Sequence, residues 1–137
     1  MNKTKILVVD DDRILRTLLH FKLTKFGSTV ELAATGLEAL AAIAKAPPDL
    51  IILDCMMPEM DGDETLKRLK AQEHTRSIPV IMLTARRGDK DAFNALALGA
   101  ADYIAKPFNP DELVLRVQRF VENGTTEGLP DSNRRIG

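Results

Sequence analysis

Residues 50–62 read LIILDCMMPEMDG. Four apolar residues, enough for a short buried strand, end at Asp54, and a loop containing proline and glycine follows at once. A second apolar run, ILVV at residues 6–9, also ends in acids, namely Asp10, Asp11 and Asp12. If the two strands are neighbours in a parallel sheet, their acidic ends meet at one edge. The pattern therefore predicts a cluster of carboxylates at the carboxyl end of the sheet.

Short apolar runs alternate with segments of helical periodicity along the whole chain. The runs occupy residues 6–9, 30–33, 50–53, 80–83 and 103–105, and most are continuous, as in strands buried on both faces. Helix signals lie between them: Gly27 as a C-cap, Thr35 and Asp61 as N-caps with glutamate three residues later, a fourth helix over residues 89–98, and Asn109-Pro110 before the last helix. Five strands alternating with five helices predict an α/β fold, with a parallel sheet covered by helices on both faces.

Length, charge and cysteine content narrow the class of protein. The 137 residues suit one domain, and a net charge of −1 without a basic stripe argues against direct nucleic-acid binding by this chain. The single cysteine, Cys55, excludes an internal disulfide and a cysteine-based zinc site. We find no signal-peptide pattern and no apolar run near the ~20 residues of a membrane span. We therefore expect a cytoplasmic protein without a membrane partner.

The composition changes near the end of the chain. Residues 1–123 carry the strand and helix pattern, whereas residues 124–137 have no periodic apolar face. We expect a single domain over 1–123 and a flexible tail or linker start over 124–137. A linker here slightly favours a domain excised from a longer protein over a stand-alone protein.

The residues just beyond the predicted strands suggest a chemistry. In parallel α/β sheets, ligands bind outside the carboxyl ends of the strands, and the polar or turn residues there are Asp10–Asp12, Asp54, Thr84-Ala85 and Lys106-Pro107. Two like charges about 4 Å apart repel by ~4 kcal/mol at an effective dielectric near 20, so the acids need a cation. Oxygen ligands without histidine or cysteine favour Mg²⁺, with Mn²⁺ as the alternative. Together with a lysine and a hydroxyl, this set suits phosphoryl transfer with aspartate as nucleophile.

These motifs, in this order and at these spacings, resemble the receiver domains of two-component response regulators. The matching pieces are ILVVDD at 6–11, Asp54 with MP at 57–58 and MDG at 60–62, LTA at 83–85, GAADY at 99–103 and KPF at 106–108. The resemblance covers residues 4–123. It implies a flavodoxin-like (βα)5 fold with strand order 2-1-3-4-5.

The resemblance implies a role for each acid near Asp54. Asp54 would be the phosphoacceptor, and Asp11 would bind the metal directly. Asp10 would act on the metal largely through water, and the main-chain carbonyl of Met56 would complete the ligand set. Asp12 falls outside this set, and we expect it to cap the first helix.

The resemblance also implies roles for three residues on the other side of Asp54. Thr84 would hydrogen-bond the phosphoryl group and Lys106 would pair with it, and the Lys106–Pro107 bond is commonly cis in the family. Tyr103 would swing inward as Thr84 moves, although a half-buried aromatic late in a strand also suits plain packing.

Two further residues, Met56 and Arg86, would flank the route of a water that attacks the phosphoryl group. Their side chains predict slow self-dephosphorylation.

The implied function is a switch rather than an enzyme that turns over a substrate. A sensor histidine kinase or a phosphotransfer protein would supply the phosphoryl group. The output would pass through the fourth helix, fifth strand and fifth helix, whose exposed face forms a partner or homodimer surface that includes Lys90, Asp91, Asp102, Glu112 and Arg116.

Two other classes share parts of this pattern. An aspartate-nucleophile phosphatase of the haloacid dehalogenase type needs a second acid two residues after the nucleophile, where this chain has Met56. A flavodoxin-like cofactor carrier needs a phosphate-binding loop after the first strand, where Asp10–Asp12 would repel phosphate without a metal. Turnover of a phosphate ester would favour the first class, and a yellow purified protein would favour the second.

Overall fold

A computed structural model describes residues 3–57, 59–84 and 95–122. The strands are β1 (Lys5–Val9), β2 (Thr29–Ala33), β3 (Leu50–Asp54), β4 (Val80–Thr84) and β5 (Asp102–Ala105). The helices are α1 (Arg13–Phe26), α2 (Gly36–Lys45), α3 (Gly62–Ala71), a fourth helix, α4, described only at residues 95–97, and α5 (Pro110–Glu122). Most of the predicted fourth helix, over residues 89–98, lies outside the described residues. So does the predicted tail over 124–137.

All five strands pair in parallel in the order β2-β1-β3-β4-β5, so the predicted topology is confirmed. Helices cover both faces of the sheet. On one face, strand residues such as Leu53 and Met82 pack with Ile43 of α2 and Leu66 of α3. On the other face, strand residues such as Leu83 pack with helices α1 and α5. The two layers of apolar side chains explain why residues 6–9, 50–53 and 80–83 of the central strands are all apolar.

Only the central strands are buried on both faces. Every residue of β3 and β4 is buried, and so are residues 6–9 of β1. Strand β2 lies at the edge of the sheet, where Leu32 is 39% exposed and Glu31 also reaches solvent. Glu31 interrupts the apolar run at 30–33, and the exposure of β2 fits an edge strand, which lacks a neighbour on one side.

The predicted helix ends are confirmed by their caps. Asp12 accepts from the N–H groups of Ile14 and Leu15, and Asp61 accepts from that of Glu64. Thr35 accepts from the N–H group of Glu38, whose carboxylate accepts in turn from that of Ala34. Gly27 closes α1 in the left-handed conformation at φ 113°. These caps fix where α1, α2 and α3 start and hence how they sit against the strand ends.

Candidate functional site at the carboxyl edge of the sheet

Strand register brings the predicted site residues together. Val9 pairs with Leu53 across β1 and β3, so that Asp10 lies beside Asp54 at the two strand ends. On the other side, Thr84 ends β4 and pairs with Ala105, and Lys106 follows directly. The main-chain N–H of Lys106 donates to the carbonyl oxygen of Thr84 at 2.6 Å. Asp54 in turn pairs with Leu83 across β3 and β4, so three strand pairings place two carboxylates, a hydroxyl and an ammonium at one edge.

Asp10, Asp11 and Asp54 form a compact group of carboxylates. Each offers an oxygen atom, and these atoms all lie within 4.8 Å of one another. Asp10 is fully buried and Asp54 is 2% exposed, whereas Asp11 reaches solvent. An oxygen-only donor set of this charge and spacing, open to water on the Asp11 side, fits a hard divalent cation. Asp12 is not in the group and caps α1, as the sequence predicts.

Lys106 lies between two of these acids. Its Nζ is 2.9 Å from Oδ2 of Asp10 and 3.3 Å from Oδ1 of Asp54. The sequence suggested a lysine on the far side of Asp54 from the acid pair, but the side chain bridges the pair and Asp54. The ammonium thus offsets part of the negative charge of both buried carboxylates. The Lys106–Pro107 peptide bond is cis, as the resemblance implies.

Burial and charge shift the titration of the site. The pKa of Asp54 rises from 3.8 to about 6 because burial disfavours its charged form and Asp10 repels it, against the opposing effects of Lys106 and the N–H group of Met56. Burial disfavours the charged form of Lys106 as well. The hydrogen bond and charge of Asp10, with those of Asp54, outweigh this effect and raise the pKa of Lys106. The site therefore favours a protonated Lys106, whose charge only partly offsets the cost of burying a charged Asp54.

The loop after β3 folds back over Asp54. The main-chain N–H of Met56 lies 3.3 Å from Oδ1 of Asp54, and the Met56 side chain is 53% exposed. Gly62, the first residue of α3, donates its N–H to the carbonyl oxygen of Cys55 at 3.0 Å. A methyl group on Gly62 would lie 2.7 Å from Cα of Cys55 and closer still to the carbonyl oxygen of Asp54. Only glycine lets α3 start this near the end of β3. The MDG motif at 60–62 did not by itself reveal why a glycine is needed there.

Thr84 and Tyr103 lie at the far side of the site. Thr84 is 5% exposed at the end of β4. Tyr103 is half-buried on β5 and packs against the apolar layer beneath α2 and α3. Arg86, which the sequence placed beside the route of the attacking water, lies outside the described residues.

The contact between Arg16 and Asp10 was not predicted from the sequence. Nη1 of Arg16 donates to the main-chain oxygen of Asp10 at 2.8 Å. The only signal in the sequence is a cation among apolar residues, one turn into the first helix, and this signal does not distinguish a buried contact from a solvated one.

Comparison with known proteins identifies a matching family. The family model described as "Response regulator receiver domain" matches residues 6–118. The alkaline phosphatase synthesis transcriptional regulatory protein PhoP of Bacillus subtilis is 46% identical over 121 residues, which are 88% of this chain and 49% of that protein. The probable transcriptional regulator ycf27 of Cyanophora paradoxa is 42% identical over 142 residues, covering 100% of this chain and 58% of that protein. The chain thus spans about half the length of the curated relatives that it matches.

Solved structures agree with the topology. The chemotaxis protein CheY4 of Vibrio cholerae aligns with a TM-score of 0.81 and 38% identity, covering 86% of this chain and 98% of that one. The receiver domain of the Francisella response regulator 1452 aligns with a TM-score of 0.84 and 34% identity, covering 89% and 99%. Neither these matches nor the family model supports the haloacid dehalogenase alternative.

Proposed function

Because the chain belongs to the response regulator receiver domain family, we propose that it is a phosphorylation switch whose phosphoacceptor is Asp54. The observation that supports this proposal best is the grouping of Asp10, Asp11 and Asp54 within 4.8 Å, with Lys106 bridging two of them. The family is one of signalling proteins, and the chemistry here concerns only the chain's own phosphorylation and dephosphorylation.

The proposed phosphodonor is a phosphohistidine on a sensor kinase or a phosphotransfer protein. A carboxylate oxygen of Asp54 attacks phosphorus in line, a P–O bond forms, and the P–N bond breaks with its electron pair returning to the imidazole. The Nζ of Lys106 already lies 3.3 Å from Asp54, so a short movement would pair it with the new phosphoryl oxygens. Thr84, at the end of the adjacent strand, would donate its hydroxyl to the same group.

Asp11, Asp54 and the main-chain carbonyl of Met56 would hold Mg²⁺, with Asp10 acting through water and Mn²⁺ as the alternative ion. When bound, the ion would neutralise negative charge that develops on the phosphoryl oxygens. The acids would supply the oxygen ligands, and Lys106, which bridges Asp10 and Asp54, would balance part of their charge.

The proposed output runs from the site to α5 through β5. Thr84 would follow the phosphoryl oxygens, and Tyr103 would fill the space behind it. Arg116 on α5 donates to Oδ1 of Asp102 at 3.0 Å, to the main-chain oxygen of Tyr103 at 2.8 Å and to Glu112 at 2.9 Å. Because two of these partners lie on β5, a movement of β5 would shift α5. A coupling of this kind is typically about 1–3 kcal/mol and shifts populations between two states.

Two further observations support the proposed partners. Exposed or half-exposed apolar residues beside Lys106 form a surface for the phosphodonor, namely Ile14, Leu15, Leu18, Pro107, Phe108 and Pro110. The α4-β5-α5 face would pair with an output partner or a second copy of the chain; of its predicted residues, Lys90 and Asp91 lie outside the described part. Since relatives of about twice this length are named transcriptional regulators, we propose transcription as the output of the full-length protein.

The proposed location is the cytoplasm, where kinases of this class present their phosphohistidine. None of the helices in the described ranges has the length and apolar character that a membrane crossing requires.

Labelling with acetyl phosphate and Mg²⁺ tests the proposal. We expect the wild-type chain to gain one phosphoryl group, as measured by intact mass, and Asp54→Asn to gain none. Asp12→Asn is the matched control, because Asp12 is an acid of the same loop that lies outside the carboxylate group and asparagine can still cap α1. Labelling retained in Asp54→Asn would contradict the assignment, and sustained hydrolysis of a phosphate ester would favour the phosphatase class.

A further inference from the structure

Every polar group of Asp10 is held by a different part of the fold. Its N–H donates to the carbonyl oxygen of Ala33 at 3.1 Å, and its Oδ1 accepts from the N–H of Asp12 at 2.8 Å. Its Oδ2 accepts from Lys106 at 2.9 Å. The remaining group, the main-chain oxygen, accepts from Nη1 of Arg16 at 2.8 Å. Arg16 therefore supplies a side-chain hydrogen bond from α1 back to the end of β1.

The carbonyl bound by Arg16 belongs to the peptide unit that joins Asp10 to Asp11. Fixing this oxygen fixes the plane of the peptide, and the plane sets the direction in which Asp11 leaves the strand. Asp11 needs this constraint, because within residues 3–57, 59–84 and 95–122 no donor contacts its exposed carboxylate. Its position then depends on its backbone alone.

We infer that Arg16 is a positioning residue for the divalent cation, acting through the Asp10–Asp11 peptide rather than by contact with the ion. The inference rests on the proposed function, since it requires that Asp11 bind a cation. A guanidinium is suited to the task because it is always charged and forms a strong, directional hydrogen bond to a carbonyl. A group that orients a metal ligand in this way typically raises the affinity of the site severalfold or more.

The charge of Arg16 has the opposite effect. A cation near the acid group repels a divalent ion, so removing the charge alone would strengthen binding of the ion. Loss of the hydrogen bond and loss of the charge therefore predict changes of opposite sign. Arg13 provides the control, because it is an exposed arginine in the first turn of the same helix and makes no contact with Asp10 among the described hydrogen bonds.

Calorimetric titration with MgCl₂ tests the inference on four proteins: wild type, Arg16→Met, Arg16→Lys and Arg13→Met. Methionine keeps the apolar stem and helix propensity of arginine without the donor or the charge. We expect Arg16→Met to bind Mg²⁺ roughly fivefold to twentyfold more weakly than wild type. Arg16→Lys, which retains a charged donor, should recover most of the affinity, and Arg13→Met should stay within about twofold of wild type.

Thermal melting of all four proteins in EDTA separates orientation of the ligand from general stability. A weaker Mg²⁺ titration in Arg16→Met, with rescue by Arg16→Lys and a folded baseline in EDTA, supports the inference. Wild-type affinity in Arg16→Met would overturn it, and so would equal losses in Arg16→Met and Arg13→Met. A wild-type chain that binds no Mg²⁺ would instead overturn the proposed function from which the inference starts.

Discussion

Glu59 has the one positive φ among the non-glycine residues that the structure describes, at 70°. Residues other than glycine, asparagine and aspartate rarely adopt this backbone conformation, since their Cβ crowds the following carbonyl. We predict that Glu59→Gly raises the free energy of unfolding by about 0.5–1 kcal/mol in urea denaturation. Glu73→Gly is the control: Glu73 is an exposed turn residue without positive φ, so added chain entropy should make this variant less stable. A loss of stability in both variants would contradict the strain at Glu59.

Met56 lies two residues after Asp54, and its thioether is a poor partner for an attacking water. We predict that the phosphorylated chain decays over minutes or longer, and that Met56→Asn speeds the decay severalfold by giving the water a hydrogen-bonding group. The measurement is the loss of the phosphoryl mass after acetyl phosphate is removed. Leu115→Asn, at an exposed position on α5, should decay at the wild-type rate. Decay within seconds that is unchanged in Met56→Asn would contradict the prediction.

Residues at strand ends could be predicted from the sequence because strand pairing leaves them little choice. Once 6–9 and 50–53 pair in parallel, Asp10 and Asp54 must meet, and the same holds for Thr84 and Lys106. The bridging position of Lys106 and the contact from Arg16 could not be predicted in this way. Both contacts depend on the conformations of long, flexible side chains that extend from one element to another. Residue spacing along the chain does not determine these conformations.

At the scale of the elements, each predicted strand is confirmed to within one residue at either end. Apolar runs on a sheet covered from both sides cannot extend past the first buried charge without large cost, so Asp10 and Asp54 mark strand ends in the sequence itself. The run at 30–33 includes Glu31 and forms β2, which the strand order implied by the resemblance places at the edge. An edge position is a property of strand order, and local pattern contains no information on that order.

The start of α3 depends on the absence of a side chain at Gly62. Because an added Cβ would lie 2.7 Å from Cα of Cys55, and backbone atoms cannot yield, Gly62→Ala must push the helix away from β3. We predict a loss of about 1–3 kcal/mol in unfolding free energy and slower labelling of Asp54 by acetyl phosphate. In the control, Gly27→Ala, strain at φ 113° should also lower stability, but nothing lies within 4 Å of the new methyl. Labelling should then be normal in Gly27→Ala, and equal labelling rates in the two variants would contradict a specific role for Gly62.

At the scale of the whole molecule, the charged, buried Asp54 that the proposed function requires lowers the stability of the fold. The pKa of Asp54 is about 6 in the fold against an ordinary value of 3.8, so between these pH values the folded state holds a proton that the unfolded state has lost. Stability therefore falls as pH rises through this window and stays lower above it, by up to about 3 kcal/mol.

We predict from this sign that Asp54→Asn, in EDTA above pH ~7, is more stable than wild type by about 1–3 kcal/mol, and that the difference vanishes below pH ~4. Urea denaturation across the pH range measures it. Asp12→Asn, which removes an acid of the same loop that lies outside the carboxylate group, is the control and should not share the gain in stability. A stability gain in Asp54→Asn that is independent of pH would mean that the buried charge is not its source.

The same penalty predicts how a divalent cation acts on the fold. An ion that binds only the folded state stabilises it by RT ln(1 + [ion]/Kd), about 1.4 kcal/mol for each tenfold excess over Kd, and it does so by neutralising charge that otherwise opposes folding. Wild type should therefore gain melting temperature from MgCl₂ well beyond the gain from NaCl of equal ionic strength, and Asp54→Asn and Asp11→Asn should gain less. At a hundredfold excess over Kd, the gain of about 2.7 kcal/mol would be comparable with the penalty from the buried charge. An equal response of all three proteins to MgCl₂ and NaCl would show that the carboxylate group does not bind the ion, because general screening does not distinguish these acids from others on the surface.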